Sequence, residues 1–517
     1  MNKKTYTSIS LPVLLAVTIS LIAVTGVAGQ GMHTTAYNMG LGGGGGAYIN
    51  GYHANFINPA NLMLADRDTR YSVGLLGGLS TSAGGGLVNI SLYNEHFTTG
   101  QVITVDKAMQ ISDDWFGSGT GSKRYMGLNV NVVPVGFSYR RDDMAFSTAF
   151  RVRTISTTGV NKGMFELALT GLSAQIFNDF KSVDLTTELL AVGEWSFGYA
   201  MEVWSSHEVF GPGSQRVFAG VAPKILFGMS YAKIGFESNL QVSGESSGSR
   251  VIHDFEYYIQ SVGHLTKDLD RYYQERRVQN NSDAYLPDYI DGDSFSDIGS
   301  VHGMGLGIDL GGTWEWYMQD ISLPVIGSGP QILRASFSIT DIGSINFKNN
   351  AGDFRARERF DWEGLTVDFE YINEEHGEVS DYFNYVLKDS IGSEIYANFS
   401  PGDVSSHRVG LNPMMNIGGS LTLGNMGVMV DIGKGFNNRG INSRRFYTAL
   451  GTEYNLLKVI PLRFGMRMGG YSGVNLAFGT GVNLKNFEFT IGLMSTPNSG
   501  RGGANLSAAW SGLVARF

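Results

Sequence analysis

The chain contains no cysteine among its 517 residues and only 12 prolines. Without cysteine it can form no disulfide and no thiolate metal site, and it has no thiol nucleophile. Positive charge is also scarce, because 38 Lys and Arg face 47 Asp and Glu, for a formal net charge of −9. A nucleic-acid partner favours a basic surface, so the charge balance argues against one.

Long apolar runs are missing after the first 28 residues. A membrane-spanning helix needs about 20 consecutive apolar residues, and no later segment supplies them. In lipid, only helices and closed β-barrels satisfy every backbone hydrogen-bonding group. If this chain spans a membrane, it must therefore do so as a barrel.

The first 28 residues have the pattern of a cleaved signal peptide. Lys3 and Lys4 form a positively charged start, residues 11–24 form an apolar stretch, and residues 26–28 are small. This order of charge, apolar core and small residues predicts an exported protein with a signal peptide at residues 1–28.

The last segment of the sequence, residues 505–517, alternates like a β-strand and finishes on Phe517. A terminal aromatic residue on an alternating strand is what a Gram-negative outer-membrane barrel presents to its insertion machinery. We therefore expect Gly512 and Phe517 to form the insertion signal, and we expect the protein to be located in the outer membrane.

Glycine and aromatic residues are abundant together, with 70 Gly, 30 Phe, 24 Tyr and 7 Trp. Disordered low-complexity chains have the glycine without the aromatic residues. A transmembrane barrel uses both, because glycine relieves crowding in a curved sheet and aromatic rings form girdles at the two membrane interfaces.

Period-two alternation supports the same class. Residues 306–318, 474–482 and 486–493 alternate apolar side chains with small or polar ones over the ~9–11 residues that cross a bilayer. Further strand candidates are 71–79, 86–93, 135–140, 144–155, 194–203, 217–230, 233–242, 333–342, 418–424, 427–432, 446–454 and 462–468. The predicted fold is all-β, a transmembrane antiparallel barrel of about fourteen strands.

Four long insertions interrupt the strand pattern, near residues 94–125, 161–187, 243–301 and 347–406. Apolar spacing predicts a short helix in the second insertion and an amphipathic helix at residues 261–278 in the third. Long loops of such barrels lie outside the cell, so we expect partly helical extracellular insertions.

Two segments after the signal peptide resemble a known family. Residues 39–48 read MGLGGGGGAY and residues 54–62 read ANFINPANL, and a Gly-rich stretch followed by Asn-Pro-Ala resembles the N-terminal hatch of FadL-like outer-membrane proteins. That superfamily includes long-chain fatty-acid transporters and the PorV-type barrels of a secretion system. The resemblance implies a hatch at residues 29–69 inside the lumen of a barrel formed by residues 70–517.

A second resemblance runs over most of the mature chain. Residues 165–171 (FELALTG), 194–200, 307–311 (GIDLG) and 336–343 (SFSITDIG) resemble a family of uncharacterised outer-membrane proteins of Bacteroidota-type bacteria, grouped with the FadL-like barrels. The chain departs from the pattern in its longer glycine run, residues 42–46, and in Ala515, where a bulkier residue is commoner.

The resemblance supplies the candidate site. Its residues are Gly42, Gly43, Gly44, Tyr48, Phe56, Asn58, Pro59 and Leu62. Two interpretations of the glycines remain open: they let the hatch shift and open a path, or they only let the backbone pass close to the barrel wall. Asn58-Pro59 has the pattern of a turn.

No motif points to catalysis. The nine histidines are scattered, without the three- or four-residue spacing of zinc ligands, and neither a Gly-x-Ser-x-Gly nor a P-loop sequence occurs. Asp288, Asp291, Asp293 and Asp297 surround a glycine but lack EF-hand spacing, which favours a solvated acidic loop over a calcium site. We expect no cofactor, no metal and no enzymatic activity.

Two functions from different classes remain. In the first, a FadL-like barrel takes up or binds a hydrophobic small molecule in an apolar pocket lined by Tyr48, Phe56 and Leu62. In the second, a PorV-like barrel does not transport and anchors residues 243–301 and 347–406 as docking surfaces for a secretion or envelope complex. The expected partners are outer-membrane lipid and the insertion machinery, with either the apolar molecule or the complex proteins.

Overall fold

The computed structural model of the chain describes residues 35–64, 70–98, 103–119, 122–173, 175–207, 211–245, 248–281, 286–290, 299–324, 326–362, 400–402, 404–484, 486–497 and 503–517, and residues 100, 209, 284 and 294 between them. The predicted signal peptide lies outside the described residues. So do residues 363–399 of the fourth predicted insertion and Asp291, Asp293 and Asp297 of the acidic run.

The described strands form one antiparallel sheet that closes into a fourteen-stranded barrel. The strands are β1 (Tyr71–Gly85), β2 (Lys123–Arg140), β3 (Met144–Asn161), β4 (Lys181–His207), β5 (Ser214–Glu245), β6 (Gly248–Val262), β7 (Gly303–Leu323), β8 (Gly327–Phe347), β9 (Ala351–Trp362), β10 (Ser400–Pro401), β11 (His407–Gly410), β12 (Met414–Leu423), β13 (Met426–Gly435), β14 (Tyr447–Leu456), β15 (Ile460–Gly469), β16 (Val474–Asn483), β17 (Phe487–Ser495), β18 (Ala504–Trp510) and β19 (Leu513–Arg516).

The ring closes where β1 pairs with β2 on one side and with β18 and β19 on the other. β18 and β19 form one interrupted wall strand, and β11 and β12, which both pair with β8, form another. β6, β9 and β10 leave the wall. The predicted strand count and fold class are therefore confirmed.

The helices are short: α1 (Ala36–Gly40), α2 (Ile90–Phe97), α3 (Val105–Phe116), α4 (Lys162–Thr170) and α5 (His264–Tyr273). In addition, α5 continues into a π-helical turn at Gln274–Val278, and 3₁₀ turns span Gly51–Phe56, Pro59–Met63 and Leu286–Asp288. Across the described part of the chain, every helix is too short or too polar to cross a bilayer. Helices α4 and α5 confirm the two helices that the apolar spacing predicts.

One strand prediction is wrong. Residues 86–93 alternate in sequence, yet α2 begins at Ile90. The Asn89 side chain accepts a hydrogen bond from the Leu92 amide at 3.0 Å, so it caps the helix N-terminus. A local cap therefore overrides a short period-two pattern.

The outer face of the barrel is apolar and the inner face is small or polar. On β7, Leu306 is 73% and Leu310 is 42% exposed, whereas Asp309, Thr313 and Glu315 are buried inside. On β13, Val428, Val430 and Ile432 point outward in the same way. An apolar outer band on a closed barrel is the surface that lipid requires.

The two ends of the barrel differ in the length of their connections. Turns at residues 141–143, 424–425, 457–459 and 484–486 are short and lie at one end, and the long connections lie at the other. Short turns face the periplasm in outer-membrane barrels, so the two ends are named periplasmic and extracellular here.

Two strands rise beyond the bilayer. β4 has 27 residues and β5 has 32, far more than the ~9–11 that span lipid. The upper part of β5 pairs with β6, which pairs with β9, and α5 packs on this extracellular sheet through Leu265, Leu269 and Tyr272.

Candidate functional site

Residues 35–64, called the inner segment from here on, lie inside the barrel. Helix α1 contacts β15, β16, β17 and β18, whereas the turns Gly51–Phe56 and Pro59–Met63 contact the opposite wall between β1 and β7. Thr35 caps α1 and Asn58 caps the second turn, so local hydrogen bonds fix the start of these two elements. The segment thus crosses the lumen from one wall to the other.

Glycines of the wall make room for the inner segment. Ten wall strands each place a glycine against it: Gly74, Gly136, Gly198, Gly220, Gly311, Gly418, Gly451, Gly465, Gly479 and Gly492. A Cβ on any of them would meet an atom of the inner segment at contact distance or closer. We call this set the glycine ring, and it lets the backbone or side chains of the inner segment pack directly against the wall backbone.

The glycine run of the inner segment turns against this ring. Gly42, Gly43 and Gly45 have φ of 72°, 80° and 93°, a region that glycine adopts without strain. A Cβ on Gly44 would lie 3.3 Å from the Ala449 Cβ. Close approach to the wall therefore accounts for these glycines structurally.

Asp431 of β13 holds the glycine run. The Gly45 amide donates to Asp431 Oδ2 at 2.6 Å and the Gly46 amide to Oδ1 at 2.9 Å. Hydrogen bonds from amides to an ionised carboxylate are about twice as strong as neutral ones. The side chain is 1% exposed, which makes this carboxylate a buried anchor of the inner segment.

Two asparagines tie the inner segment to itself and to β7. Asn58 Nδ2 donates to Thr313 Oγ1 at 2.9 Å, and Thr313 Oγ1 donates to Asn61 Oδ1 at 2.7 Å. Asn61 Nδ2 donates to the Gly46 and Ile49 carbonyls, each at 2.9 Å. These bonds join the glycine run to the second turn, so the inner segment behaves as one packed unit.

A layer of six charges, five of them buried and Asp341 partly buried, lies next to Phe56. Arg151 and Arg153 of β3, Glu194 of β4, Lys224 of β5, Asp309 of β7 and Asp341 of β8 all face inward. The Arg151 guanidinium carbon lies 4.2 Å from the Phe56 ring centroid. The positive and negative charges are equal in number, so the layer carries no net formal charge.

Short contacts connect the charged layer. Lys224 Nζ lies 2.7 Å from both Asp309 Oδ2 and Asp341 Oδ1, and Arg153 Nη1 donates to Asp341 Oδ2 at 2.6 Å. Asp341 has φ of 58° at an irregularity of β8, which turns its side chain inward. Removing one member of such a network leaves a buried unpaired charge.

Above the charged layer the lumen is apolar. The cluster there consists of Ile155, Leu190, Val192, Leu226, Tyr231, Val262, Ile345, Phe347, Val409 and Leu411. Water-filled barrels have a polar interior. This apolar layer, in contrast, gives ions and polar solutes no hydrogen-bond partners at its level.

Residues 436–446, called the inward loop, fold from β13–β14 into the lumen. The Gly440 amide donates to Thr157 Oγ1, and Arg439 Nη2 donates to Glu188 Oε1 at 2.7 Å. Ile441 is 3% exposed, and its amide donates to Asn129 Oδ1 at 3.3 Å. The inward loop therefore bridges to β2, β3 and β4 and closes the extracellular half.

A cavity of about 860 Å³ occupies the periplasmic end beneath the inner segment. Charged side chains border it, among them Arg334, Glu453, Arg463, Glu488 and Arg516. From the inner segment, Tyr48 Oη donates to Glu453 Oε1 at 2.8 Å, and Arg463 Nε donates to Glu453 Oε2 at 2.6 Å. The cavity is thus polar and charged, unlike the apolar layer at the other end.

His53 is the titratable group with the least favourable surroundings in the inner segment. Burial above all, and secondarily the Arg516 cation, lowers the pKa of His53 to about 3. Its ring lies 4.2 Å from Tyr52 and 5.5 Å from Tyr37, centroid to centroid. A docked inner segment therefore holds His53 neutral.

The predicted site residues separate into groups. Gly42, Gly44, Asn58 and Pro59 pack against the wall, the Gly43 amide donates to the Asn38 carbonyl at 2.7 Å, and Tyr48 borders the periplasmic cavity. Phe56 lies over the charged layer, and Leu62 packs with Ala145, Ala200 and Phe218. Of these residues, Tyr48 borders the periplasmic cavity, and the apolar pocket predicted for Tyr48, Phe56 and Leu62 stays a prediction.

The two residues of the predicted insertion signal lie near the closing seam. Gly512, with φ of 66°, sits in the break between β18 and β19, and a Cβ there would collide with the Leu76 carbonyl. Phe517 borders the periplasmic cavity and exchanges backbone hydrogen bonds with Tyr71.

Sequence reasoning missed Asp431 and the charged layer. Such residues can be recognised in the sequence as a carboxylate or cation that lies between two apolar, lipid-facing residues of a strand. Asp431 between Val430 and Ile432 is an example. No group of three or more metal-ligating side chains occurs within the described ranges.

The chain is similar to several solved protein structures at low sequence identity. The toluene transporter TbuX of Ralstonia pickettii is 14% identical with a TM-score of 0.41, and the alignment covers 94% of this chain and 98% of that one. The toluene transporter TodX of Pseudomonas putida is 10% identical with a TM-score of 0.39, covering 95% and 99%. A FadL homologue of Pseudomonas aeruginosa is 11% identical with a TM-score of 0.39, covering 95% and 99%.

No curated protein sequence matches the chain. A family model matches residues 59–493, which include most of the barrel wall and the second turn of the inner segment. The fold is that of an outer-membrane β-barrel. The chain belongs to the family of unknown function DUF5723.

Proposed function

We propose that the protein takes up a hydrophobic small molecule through the outer membrane, with the inner segment as the movable barrier. The observation that carries this proposal is the apolar layer of the extracellular half, whose members include Leu190, Leu226, Ile345 and Leu411. An apolar solute gains free energy there, at roughly 25 cal/mol per Å² of apolar surface removed from water, whereas a hydrated ion does not.

The proposed path runs from the apolar layer to the periplasmic cavity. Between the two lie the charged layer and the inner segment, which the glycine ring packs tightly. Passage therefore requires the inner segment to leave the wall, and the bonds from Gly45 and Gly46 to Asp431 must then break. The charged layer pairs its own members, so it keeps its shape when Phe56 moves.

An engineered disulfide tests this directly, because the chain has no cysteine of its own. Gly44→Cys with Ala449→Cys places two Cβ atoms about 3.3 Å apart, near the ~3.5–4.5 Å of a disulfide. The new Cβ also meets Asp431 Oδ2 at 2.6 Å, so the reduced double variant is the reference for the oxidised one. The control is Ser322→Cys with Ser328→Cys, a cross-strand pair whose hydroxyls lie 2.7 Å apart at the periplasmic β7–β8 turn.

Uptake would be measured in cells with two radiolabelled probes, a monoaromatic hydrocarbon and a long-chain alkyl carboxylate. We expect the oxidised Gly44→Cys/Ala449→Cys protein to lose uptake and to regain it after reduction, while the control pair stays active in both states. Equal uptake by the oxidised and reduced tethered proteins would show that the inner segment is not the barrier.

The docking function makes a different prediction in the same cells. If the barrel only anchors the extracellular sheet, neither probe enters faster than in cells without the protein, and the tether changes nothing. Protein recovered with the barrel after cross-linking would then depend on the sheet of β6 and β9 rather than on the inner segment.

A further inference from the structure

The periplasmic cavity of about 860 Å³ is lined by side-chain amides. Its five asparagines are Asn50, Asn425, Asn455, Asn483 and Asn486. Two of them are bonded, because Asn50 Oδ1 accepts from Arg516 Nη1 at 3.4 Å and Asn455 Nδ2 donates to Glu453 Oε1 at 2.9 Å. Among the described residues, the other three side-chain amides have no hydrogen-bond partner. Each of these three therefore offers a donor and an acceptor to a ligand.

The turns do not account for the amides of Asn425, Asn483 and Asn486. Asparagine is frequent in turns because its side chain bonds to nearby backbone or because it tolerates a positive φ. Within the described chain, none of these three side chains makes a local bond, and none of the three residues has a positive φ. Asn425 and Asn483 are half-buried and Asn486 is exposed, so a solute in the cavity can reach all three.

The charges of the lining largely cancel. Three arginines are each paired with a glutamate, in the pairs Arg334–Glu315, Arg463–Glu453 and Arg516–Glu488, with N–O distances of 2.8, 2.6 and 2.8 Å. Lys458, the remaining cation of the described lining, is exposed at the β14–β15 turn. A charged ligand would have to compete with these pairs, whereas a neutral hydrogen-bonding ligand would not.

Apolar surface lies between the polar groups. Ile332, Val459, Leu484 and the ring of Tyr48 also line the cavity. Turn residues of three hairpins surround its mouth, and the inner segment lies at its other end. The cavity thus opens to the periplasm and combines apolar patches with neutral hydrogen-bonding groups.

We propose that the periplasmic cavity binds a neutral oligosaccharide of about two or three rings, since its volume lies within the ~300–1,000 Å³ of small-molecule sites. Sugar hydroxyls both donate and accept, as the oxygen and nitrogen of a side-chain amide do together. The C–H faces of sugar rings pack on apolar and aromatic side chains such as Val459 and Tyr48. The inference does not rest on uptake, because this ligand enters and leaves without crossing the inner segment.

The test is a titration of the purified full-length barrel with trisaccharides, followed by saturation-transfer difference NMR. The probes are chitotriose and maltotriose, which are neutral, and trigalacturonate, which is anionic. The detergent is an amine oxide, because a maltoside headgroup is itself a sugar and would compete. The test variant is Asn483→Leu/Asn486→Leu, and the matched control is Asn94→Leu/Asn239→Leu, two exposed asparagines of the extracellular end. Heat-modifiable migration on gels checks that each variant is folded.

We expect the wild type and the control to bind a neutral trisaccharide, and the test variant to bind it about twentyfold more weakly, at roughly fivefold for each lost amide. The tighter of the two neutral probes shows whether the ligand carries N-acetyl groups. If the double variant does not fold, Asn486→Leu alone should lose about fivefold. Binding should persist in the oxidised Gly44→Cys/Ala449→Cys protein, because the inner segment need not move.

Three results would overturn the proposal. The first is the absence of saturable binding of both neutral probes at millimolar concentration. The second is equal affinity of the wild type and Asn483→Leu/Asn486→Leu. The third is tighter binding of trigalacturonate than of either neutral probe, because the cavity would then select an anion.

Discussion

At the scale of single residues, one carboxylate holds the glycine run of the inner segment. Asp431 receives the amides of both Gly45 and Gly46, and its neighbours on the same strand point into lipid. Ten wall strands also meet the segment at glycines, and Glu453 accepts a further hydrogen bond from Tyr48. A charge-assisted anchor of this kind contributes about 1.5–3 kcal/mol per bond.

Replacing Asp431 with Asn should loosen the inner segment while the barrel stays folded. The amide keeps one acceptor oxygen and loses the charge, so we expect docking to weaken by about 1.5–3 kcal/mol. Hydrogen–deuterium exchange of residues 41–49 measures this as faster exchange. Asp254→Asn, at an exposed position of β6, is the control and should leave exchange there unchanged. Identical exchange in the two variants would show that Asp431 is not an anchor.

His53 should make docking of the inner segment sensitive to acid. Its pKa is about 3 when the segment is docked, mainly because of burial, and returns toward its usual value of about 6.5 when the segment is released. A group whose pKa is lowered in the docked state contributes its full stabilisation above the higher value and loses it as pH falls from about 6.5 toward 3. Docking should therefore weaken by ~2 kcal/mol between pH 7 and pH 5.

The measurement is protease protection of the inner segment across that pH range. His53→Phe keeps an aromatic ring against Tyr52 and removes the titration, so its protection should fall much less on acidification. The readout is the slope against pH, which is independent of any constant packing penalty from the substitution. Parallel slopes in the wild type and His53→Phe would assign the acid sensitivity to another group.

At the scale of elements, the wall strands are shaped by what they enclose. Each strand of the glycine ring has a glycine at the level of the inner segment. Glycine in a strand lowers stability by roughly 0.5–1 kcal/mol relative to alanine. On the lipid side of the same strands the side chains are large, as with Phe464 beside Gly465 and Phe478 beside Gly479. The asymmetry shows that close approach of the inner segment determines the glycine positions.

Adding one methyl group inside the ring should therefore displace the inner segment. A Cβ on Gly465 would collide with the backbone of Leu41 and Gly42, which cannot yield as a flexible side chain does. Overpacking of this kind costs about 1–3 kcal/mol. We expect Gly465→Ala to increase proteolysis of the inner segment without changing heat-modifiable migration of the barrel.

Gly419→Ala is the matched control, because a Cβ there meets its nearest neighbour, Val430 Cγ1, at an ordinary 3.4 Å. That variant should resemble the wild type in both measurements. If Gly465→Ala and Gly419→Ala behave alike, the glycine ring does not hold the inner segment.

At the scale of the whole molecule, the lumen is closed in successive layers. The inward loop and the apolar layer occupy the extracellular half, the charged layer and the inner segment occupy the middle, and a cavity of about 860 Å³ lies at the periplasmic end. The wild type in a planar bilayer should therefore show no steady ionic conductance. Steady current through the wild type would contradict the layered closure.

The barrel was predictable from sequence because its signal is local. In β7, β13 and β16, apolar side chains that face lipid alternate with small or polar side chains that face the interior. Contact with lipid requires this pattern in every wall strand. The candidate site was predicted less well. Arg151, Lys224, Asp309 and Asp341 lie on different strands and meet only through register and irregularities of β7 and β8.

The glycine ring also constrains the order of assembly. The inner segment lies at the N-terminal side of β1 in sequence, yet its contacts come from ten strands that reach as far as β17. The seam between β1 and β18–β19 joins the wall strands farthest apart in the chain. The pocket for the inner segment thus exists only when the ring is complete. An inner segment that is protected from protease therefore indicates that the whole barrel has folded.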